Sequence, residues 1–342
     1  MKNQKRRINL IKKILIIKPS SMGDIIHSLP VLNALFQNFK DAEIHWLIAK
    51  GLDGLLQNHP MIKKLLIINK DQWKKINSIG KTIKELSILS KSLRYESYDI
   101  VIDLQGLLRS GILTAMTGAP FKIGFSDARE GSSIFYNQRV KGDKDIHAVN
   151  RYLRIIKALT GIETKEIKFP FPPFNPSNEI IKLVDSLKDY YVIVPGARWQ
   201  SKRWSPDKFA EAACLLENRS IIIGGKDDIP ISQFIKEKAR DKVIDLTDKT
   251  NLKDLVFIIS QASLVLTNDT GPMHIASALE RPLLAIFGPT NPIRTGPFGT
   301  KHKVIKAEIA CSPCYKRTCS KMDCMNNISV NKVISEIKSL SL

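Results

Sequence analysis

No apolar run in this 342-residue chain approaches the ~20 residues that a helix needs to cross a bilayer; stretches such as LLIIN and LVLTN stop far short, so no membrane span is expected. Acid-rich stretches that could chelate a divalent ion on a diphosphate are also missing, as are short tandem repeats and low-complexity tracts. The basic start, MKNQKRRINLIKKILIIK, is not expected to be a secretory signal, because Lys12, Lys13 and Lys18 interrupt its apolar part and no small-residue cleavage site precedes Pro19. It reads as a lead-in to the first strand, and with no other targeting signal the cytoplasm is the expected compartment. Negative charge is scarce: Asp and Glu number 33 against 53 Lys and Arg, which leaves +20. Such a field draws a protein to nucleic acid, an anionic membrane surface or a polyanionic substrate, but a Lys-rich composition also produces it, so charge alone does not choose a partner.

What is present describes a soluble globular chain, 43% hydrophobic and 25% charged, long enough for two domains. Strand-like runs at 13–18, 42–49 and 98–104 alternate with helical patterns such as LPVLNALFQNF. A second series follows at 190–196, 220–225, 242–247, 262–269 and 282–288. Short strands that are apolar at consecutive positions, separated by helices, imply parallel βαβ units buried on both faces. Four prolines within 168–179 mark a linker. The expectation is an α/β protein of two similar halves, 1–172 and 180–325, with a ligand at the carboxyl ends of the strands in the cleft between them. A final amphipathic helix within 326–342 is expected to cross back to the first half.

Three turns at strand ends stand out. In KPSSMGD a glycine follows the first strand and Asp24 sits at the mouth of a helix; no GK[ST] follows, and the turn is not GxGxxG. Asp24 suits a helix cap, with a carboxylate held to take a proton from a hydroxyl as the functional alternative. In GARWQSKRWSPDKF, Arg198, Lys202 and Arg203 precede a helix that Ser205 and Pro206 begin, a placement that suits a diphosphate or a solvated loop. In TNDTGPMHIASALERPLLAIFGPTNP, the turn Asp269, Thr270, Gly271 opens a short helix bearing His274, where free backbone N–H groups would cradle phosphate.

Of the five cysteines, Cys214 lies in an apolar helical pattern and reads as a buried small hydrophobe. Cys311, Cys314, Cys319 and Cys324, spaced C-x2-C-x4-C-x4-C, could bind zinc or take part in redox chemistry, but the spacing is tighter than two CxxC knuckles and the reading here is reduced structural thiols.

Taken together, KPSSMGDIIHSLP, YDIVIDLQGLLRSGILT, AREGSSIFYN, SKRWSPDKF and the TNDTGPMH segment resemble the bacterial ADP-heptose:lipopolysaccharide heptosyltransferases, glycosyltransferase family 9, over residues 13–335. The resemblance implies a GT-B fold, two Rossmann-like domains with parallel sheets facing a central cleft, acceptor on the first and nucleotide sugar on the second. It implies inverting transfer without metal or other cofactor, ADP-heptose being the donor substrate. At matching positions Asp24 would be the base and Lys202 the residue neutralising the departing diphosphate. Asp269, Thr270, Gly271 and His274 would form the donor turn with Arg198, Asp228 would lie near the donor ribose, and Ser20, Ser21 and Gly23 would keep backbone close to sugar and phosphate. Lys74, Lys75, Arg109 and Arg129 are assigned to acceptor charges. The acceptor implied is the anionic inner core of lipopolysaccharide, keto-sugar-lipid A or its first heptose, met at the cytoplasmic face of the inner membrane. No nucleic acid is expected as partner. The alternatives are a GT-B enzyme with another nucleotide sugar or acceptor, a nucleotide-sugar epimerase, or a polyanion-binding protein.

Overall fold

The computed structural model of the protein describes residues 11–69 and 79–340. The chain divides at Pro173–Phe174, inside the proline-rich segment, into two compact units, 1–173 and 174–342. Lys74 and Lys75 lie outside the described residues.

The first unit is built on six parallel strands: β1 (Lys13–Ile17), β2 (Glu43–Ala49), β3 (Lys64–Ile68), β4 (Ile100–Asp103), β5 (Phe121–Phe125) and β6 (Gln138–Val140). Their order is β3-β2-β1-β4-β5-β6, so chain direction across the sheet reverses at β1 and β4. Ile14, Leu15, Ile16 and Ile17 are wholly buried because β1 is covered on both faces and paired on both edges, with Ile14 opposite Ile44 and Ile100. The helices are α1 (Met22–Asn38), α2 (Ile79–Tyr95), α3 (Leu108–Met116) and α4 (Ala148–Thr160); α4 packs along α1.

The second unit repeats the plan. Its strands β7 (Tyr191–Val194), β8 (Ser220–Ile222), β9 (Val243–Asp245), β10 (Leu264–Asn268), β11 (Leu283–Phe287) and β12 (His302–Lys306) take the order β12-β11-β10-β7-β8-β9, with the reversal at β7 and β10. Helix α5 (Asn178–Leu187) leads into β7; α6 (Pro206–Leu215), α7 (Ile229–Ala239), α8 (Leu252–Gln261), α9 (Gly271–Ala278) and α10 (Pro292–Thr295) connect the strands in turn, and α11 (Asp323–Asn326) and α12 (Val330–Lys338) follow β12. In both units the first and fourth strands lie side by side, and the turns leaving them open at a topological switch point, where ligands of such sheets bind.

Two expectations are corrected. The last helix does not belong with the first half: the Val330, Val333 and Ile337 stripe of α12 is buried in the core of the second unit, against the side of the sheet that α6 covers. Cys214 is exposed, because α6 turns Phe209, Ala210, Ala212 and Ala213 inward and leaves position 214 on the opposite face.

Candidate active site

Asp24 stands in the first turn of α1, directly after β1. Its Oδ2 accepts hydrogen bonds from the backbone N–H (3.0 Å) and hydroxyl (2.6 Å) of Ser21. The capping role is therefore real, and it fixes the carboxylate at the end of the strand. The other oxygen, Oδ1, accepts from the hydroxyl of Tyr152 on α4 at 3.2 Å and lies 3.8 Å from Nζ of Lys18. Lys18 is 2% exposed, its ammonium donating to the carbonyl of Leu104 at 3.2 Å and lying 5.1 Å from the centre of the Tyr152 ring. A lysine so deep in the protein is tolerable only because a carboxylate and a carbonyl meet its charge.

These contacts set the titration. Burial pushes the Asp24 carboxyl up, but the Lys18 charge and the two Ser21 hydrogen bonds outweigh it and hold the group well below the usual carboxylate range. Burial pulls Lys18 down, but Asp24 and Tyr152 more than compensate and leave it above the ordinary lysine value. The result is an ionised carboxylate at neutral pH, still 39% exposed along its side chain and so open to a substrate hydroxyl. Ser20 donates its N–H to Gln105 Oε1 (3.3 Å), which joins this turn to the one after β4. Buried Asp103 shapes that second turn by accepting from the N–H groups of Gln105 (2.8 Å) and Gly106 (3.0 Å) and from Tyr136 Oη (2.6 Å). Gly23 is buried in the first turn of α1. Arg109 and Arg129 are exposed, and the Arg129 N–H donates to Gly106 O at 2.9 Å, so both flank the turn after β4.

In the second unit Lys202 meets Asp269 across the switch point, Nζ to Oδ2 at 2.6 Å, with the two side chains 17% and 6% exposed. The same Asp269 oxygen accepts from Thr290 Oγ1 at 2.6 Å, while the Lys202 ammonium lies 4.6 Å from the centre of the Trp199 ring. Asp269 is thus engaged in holding Lys202 rather than free for a ligand. The loop carrying Lys202 is tied down by the thiol-bearing segment: Ser201 donates from Oγ to Lys316 O (2.6 Å) and from N–H to Arg317 O (3.3 Å). Asn268 links the two turns, accepting from Trp204 N–H (3.1 Å) and donating to Pro195 O (2.7 Å). Asp228 receives the Gly225 N–H (3.0 Å) and lies 3.6 Å from Arg203. A Cβ on Gly196 would fall 2.3 Å from that carboxylate, so only glycine lets the turn after β7 pass so close. Arg198 is exposed; Thr270 precedes α9, Gly271 begins it, and His274 is buried within it. Because Pro272 lacks an N–H, the open donors at this helix start come from Thr270, Gly271 and Met273.

Cys311 and Cys319 are exposed, Cys314 is half-buried and Cys324 buried, all as free thiols, and no group of metal-ligating side chains is arranged around an ion site among the described residues.

Sequence reasoning therefore placed Asp24, Lys202 and Asp269 at the switch points but missed Tyr152, Lys18, Thr290 and Trp199. Lys18 carried a signal, being a lysine at the end of an otherwise apolar strand; Tyr152 carried none, since its partner is 128 positions away.

Comparison with known proteins agrees with this layout. The glycosyltransferase family 9 (heptosyltransferase) family matches residues 87–325. The lipopolysaccharide core heptosyltransferase OpsX of Haemophilus influenzae is 26% identical, the alignment covering 97% of each chain. Lipopolysaccharide heptosyltransferase 1 of Campylobacter coli is 31% identical over 81% of this chain and 84% of its own. Among solved structures, the E. coli heptosyltransferase WaaC with ADP superposes with a TM-score of 0.80 at 23% identity, covering 96% of this chain and all of that one, which places the two α/β units in the GT-B fold. The chain belongs to glycosyltransferase family 9, the heptosyltransferases.

Proposed function

We propose that this enzyme transfers heptose from ADP-heptose, with inversion and without a metal ion, to the inner core of lipopolysaccharide at the cytoplasmic face of the inner membrane, with Asp24 as base. The observation that carries the reading is the Asp24 carboxylate: ionised, oriented by Ser21 and Tyr152, and open to solvent at the end of β1. The acceptor oxygen attacks the anomeric carbon as the bond to the diphosphate breaks; the diphosphate leaves with that electron pair and the hydroxyl proton passes to Asp24. A carboxylate of depressed pKa does not deprotonate a free alcohol. It accepts the proton only as the oxygen bonds to carbon and its acidity rises, which keeps the base ionised until the moment of transfer.

Departing charge is the task of the second unit. Lys202, pre-oriented by Asp269 and Thr290, and the open N–H groups of Thr270 and Gly271 are fixed donors for ADP, and neutralise it without rearrangement. Arg198, His274 and Asp228 are assigned to the remainder of the donor, Ser20, Ser21 and Gly23 to close backbone approach, and Arg109 and Arg129, with Lys74 and Lys75, to the anionic groups of the acceptor. The relatives named as lipopolysaccharide heptosyltransferases support this acceptor class.

The test is mass spectrometry of keto-sugar-lipid A, and separately of its mono-heptosylated form, after incubation with enzyme, ADP-heptose and EDTA. A heptose-sized gain on one of them is expected. Asp24→Asn should lower transfer by about 100-fold or more with ADP affinity nearly unchanged; equal loss of both would remove Asp24 from the role of base.

A further inference from the structure

The first unit exposes large aliphatic side chains on two adjoining elements, and the chemistry above leaves them unused. Leu108 and Ile112, one helical turn apart on α3, are 41% and 38% exposed, and Ile134, in the short helical turn 132–135, is 68% exposed. The two elements are pressed together: a Cβ on Gly111 of α3 would fall 2.5 Å from the Phe135 ring, and the Leu108 N–H donates to Glu130 at 3.1 Å. The patch adjoins the Asp24 turn through continuous structure, since Ser20 is bonded to Gln105, three residues before Leu108, and Gly106 accepts from Arg129. Arg109, which follows Leu108 on α3, and Arg129, whose N–H is bonded to Gly106, are exposed as well.

Large aliphatic side chains left in water beside two guanidinium groups are a poor surface for a soluble monomer but a suitable one for an anionic bilayer. The aliphatic groups enter the acyl boundary while the arginines stand at headgroup level, where the anionic groups of a membrane-borne acceptor also lie. A lipid-linked acceptor calls for a membrane-facing surface near the Asp24 turn, because its hydroxyl must reach Asp24 while its acyl chains remain in the membrane. We infer that Leu108, Ile112 and Ile134, flanked by Arg109 and Arg129, dock the enzyme on an anionic lipid bilayer beside the acceptor site. The inference rests on the proposed lipid-linked acceptor and names the surface that reaches it.

Flotation with phosphatidylcholine vesicles, with and without phosphatidylglycerol, tests it on the full chain. The parent should float with the anionic vesicles and hardly with the neutral ones. Ile134→Asp should weaken that association by about tenfold, the expectation for removing one inserted aliphatic side chain, and the combined change L108S/I112S/I134S should abolish it. Tyr95→Ser, at an 88% exposed position on α2, should leave it intact. Circular dichroism checks each fold, and the single variant keeps the test alive if the triple one does not fold. Undiminished flotation of Ile134→Asp overturns the inference, as does equal loss in Tyr95→Ser, or a dimer in solution that Ile134→Asp dissociates while flotation is unchanged. Heptose transfer to an acyl-chain-free acceptor, measured in parallel, should be untouched by Ile134→Asp. A parent that floats through this patch yet transfers nothing to that acceptor leaves the docking surface standing and refutes the acceptor assignment.

Discussion

Asp24 performs two tasks with two oxygens: Oδ2 closes the first turn of α1 through Ser21, and Oδ1 faces Tyr152 and Lys18. Removing the Tyr152 hydroxyl leaves the cap and the Lys18 contact intact but takes away the hydroxyl that donates to Oδ1. Tyr152→Phe should therefore reduce kcat about tenfold, the typical worth of a hydrogen bond to a charged group, with KM for the donor unchanged; single-turnover kinetics separates the two. Lys18→Met removes the cation that holds the Asp24 carboxyl down, so that carboxyl should rise toward its ordinary value. The acid limb of the pH–kcat profile should then move to higher pH, because Asp24 must be ionised to act and would now protonate sooner. In the second unit Lys202→Ala should lower transfer and ADP affinity together, as the ammonium poised by Asp269 and Thr290 is lost, which isothermal titration with ADP would show. At this scale the turns were legible because glycine, a capping acid and basic side chains have local meanings. Tyr152 and Thr290 were not, because a tyrosine in a helix and a threonine in a loop acquire their roles only from what the fold places opposite them.

Elements were legible in proportion to their burial. The central strands β1, β4, β7, β10 and β11 announce themselves as apolar runs because both faces are covered. β6, three residues of Gln138, Arg139 and Val140 at the sheet edge, has no such pattern, and β5 is the half-polar FKIGF, in which Lys122 interrupts the apolar run. At the end of the first sheet opposite Asp24, where the strands begin, Glu96 binds elements together: it accepts from Lys64 at the start of β3 and from Lys13 at the start of β1 (3.0 Å). The hydrogen bond from Lys64, helped by Lys13 against the cost of burial, holds its carboxyl at about 2. A folded-state value below the unfolded one contributes stability above the ordinary carboxylate range, and that contribution fades as pH falls from there toward 2. Glu96→Gln should accordingly lower Tm near neutrality, and its deficit relative to the parent should shrink as the pH is taken from 6 to 3; a constant deficit in thermal melts would deny the carboxylate this role.

For the molecule as a whole, the +20 charge acts at a distance and through the solvent. Raising the salt concentration should reduce transfer to a vesicle-borne acceptor much more than transfer to a soluble one, because ions screen long-range attraction to an anionic surface but hardly alter groups already in contact. Initial rates on the two acceptors across a salt series check this. The sequence by itself determined that the chain is two α/β units of parallel strands, that it passes from one to the other through a proline-rich segment, and that turns bearing Gly, Asp and Lys or Arg follow β1, β7 and β10, since strand burial, helix starts and turn chemistry are written in neighbouring residues. Only the tertiary structure decided that Tyr152 and Lys18 set the state of Asp24, that Asp269 supports Lys202, and that α12 stays with the second unit. Those outcomes depend on pairings between distant segments, where burial and proximity to charge, rather than residue type, fix what a side chain does.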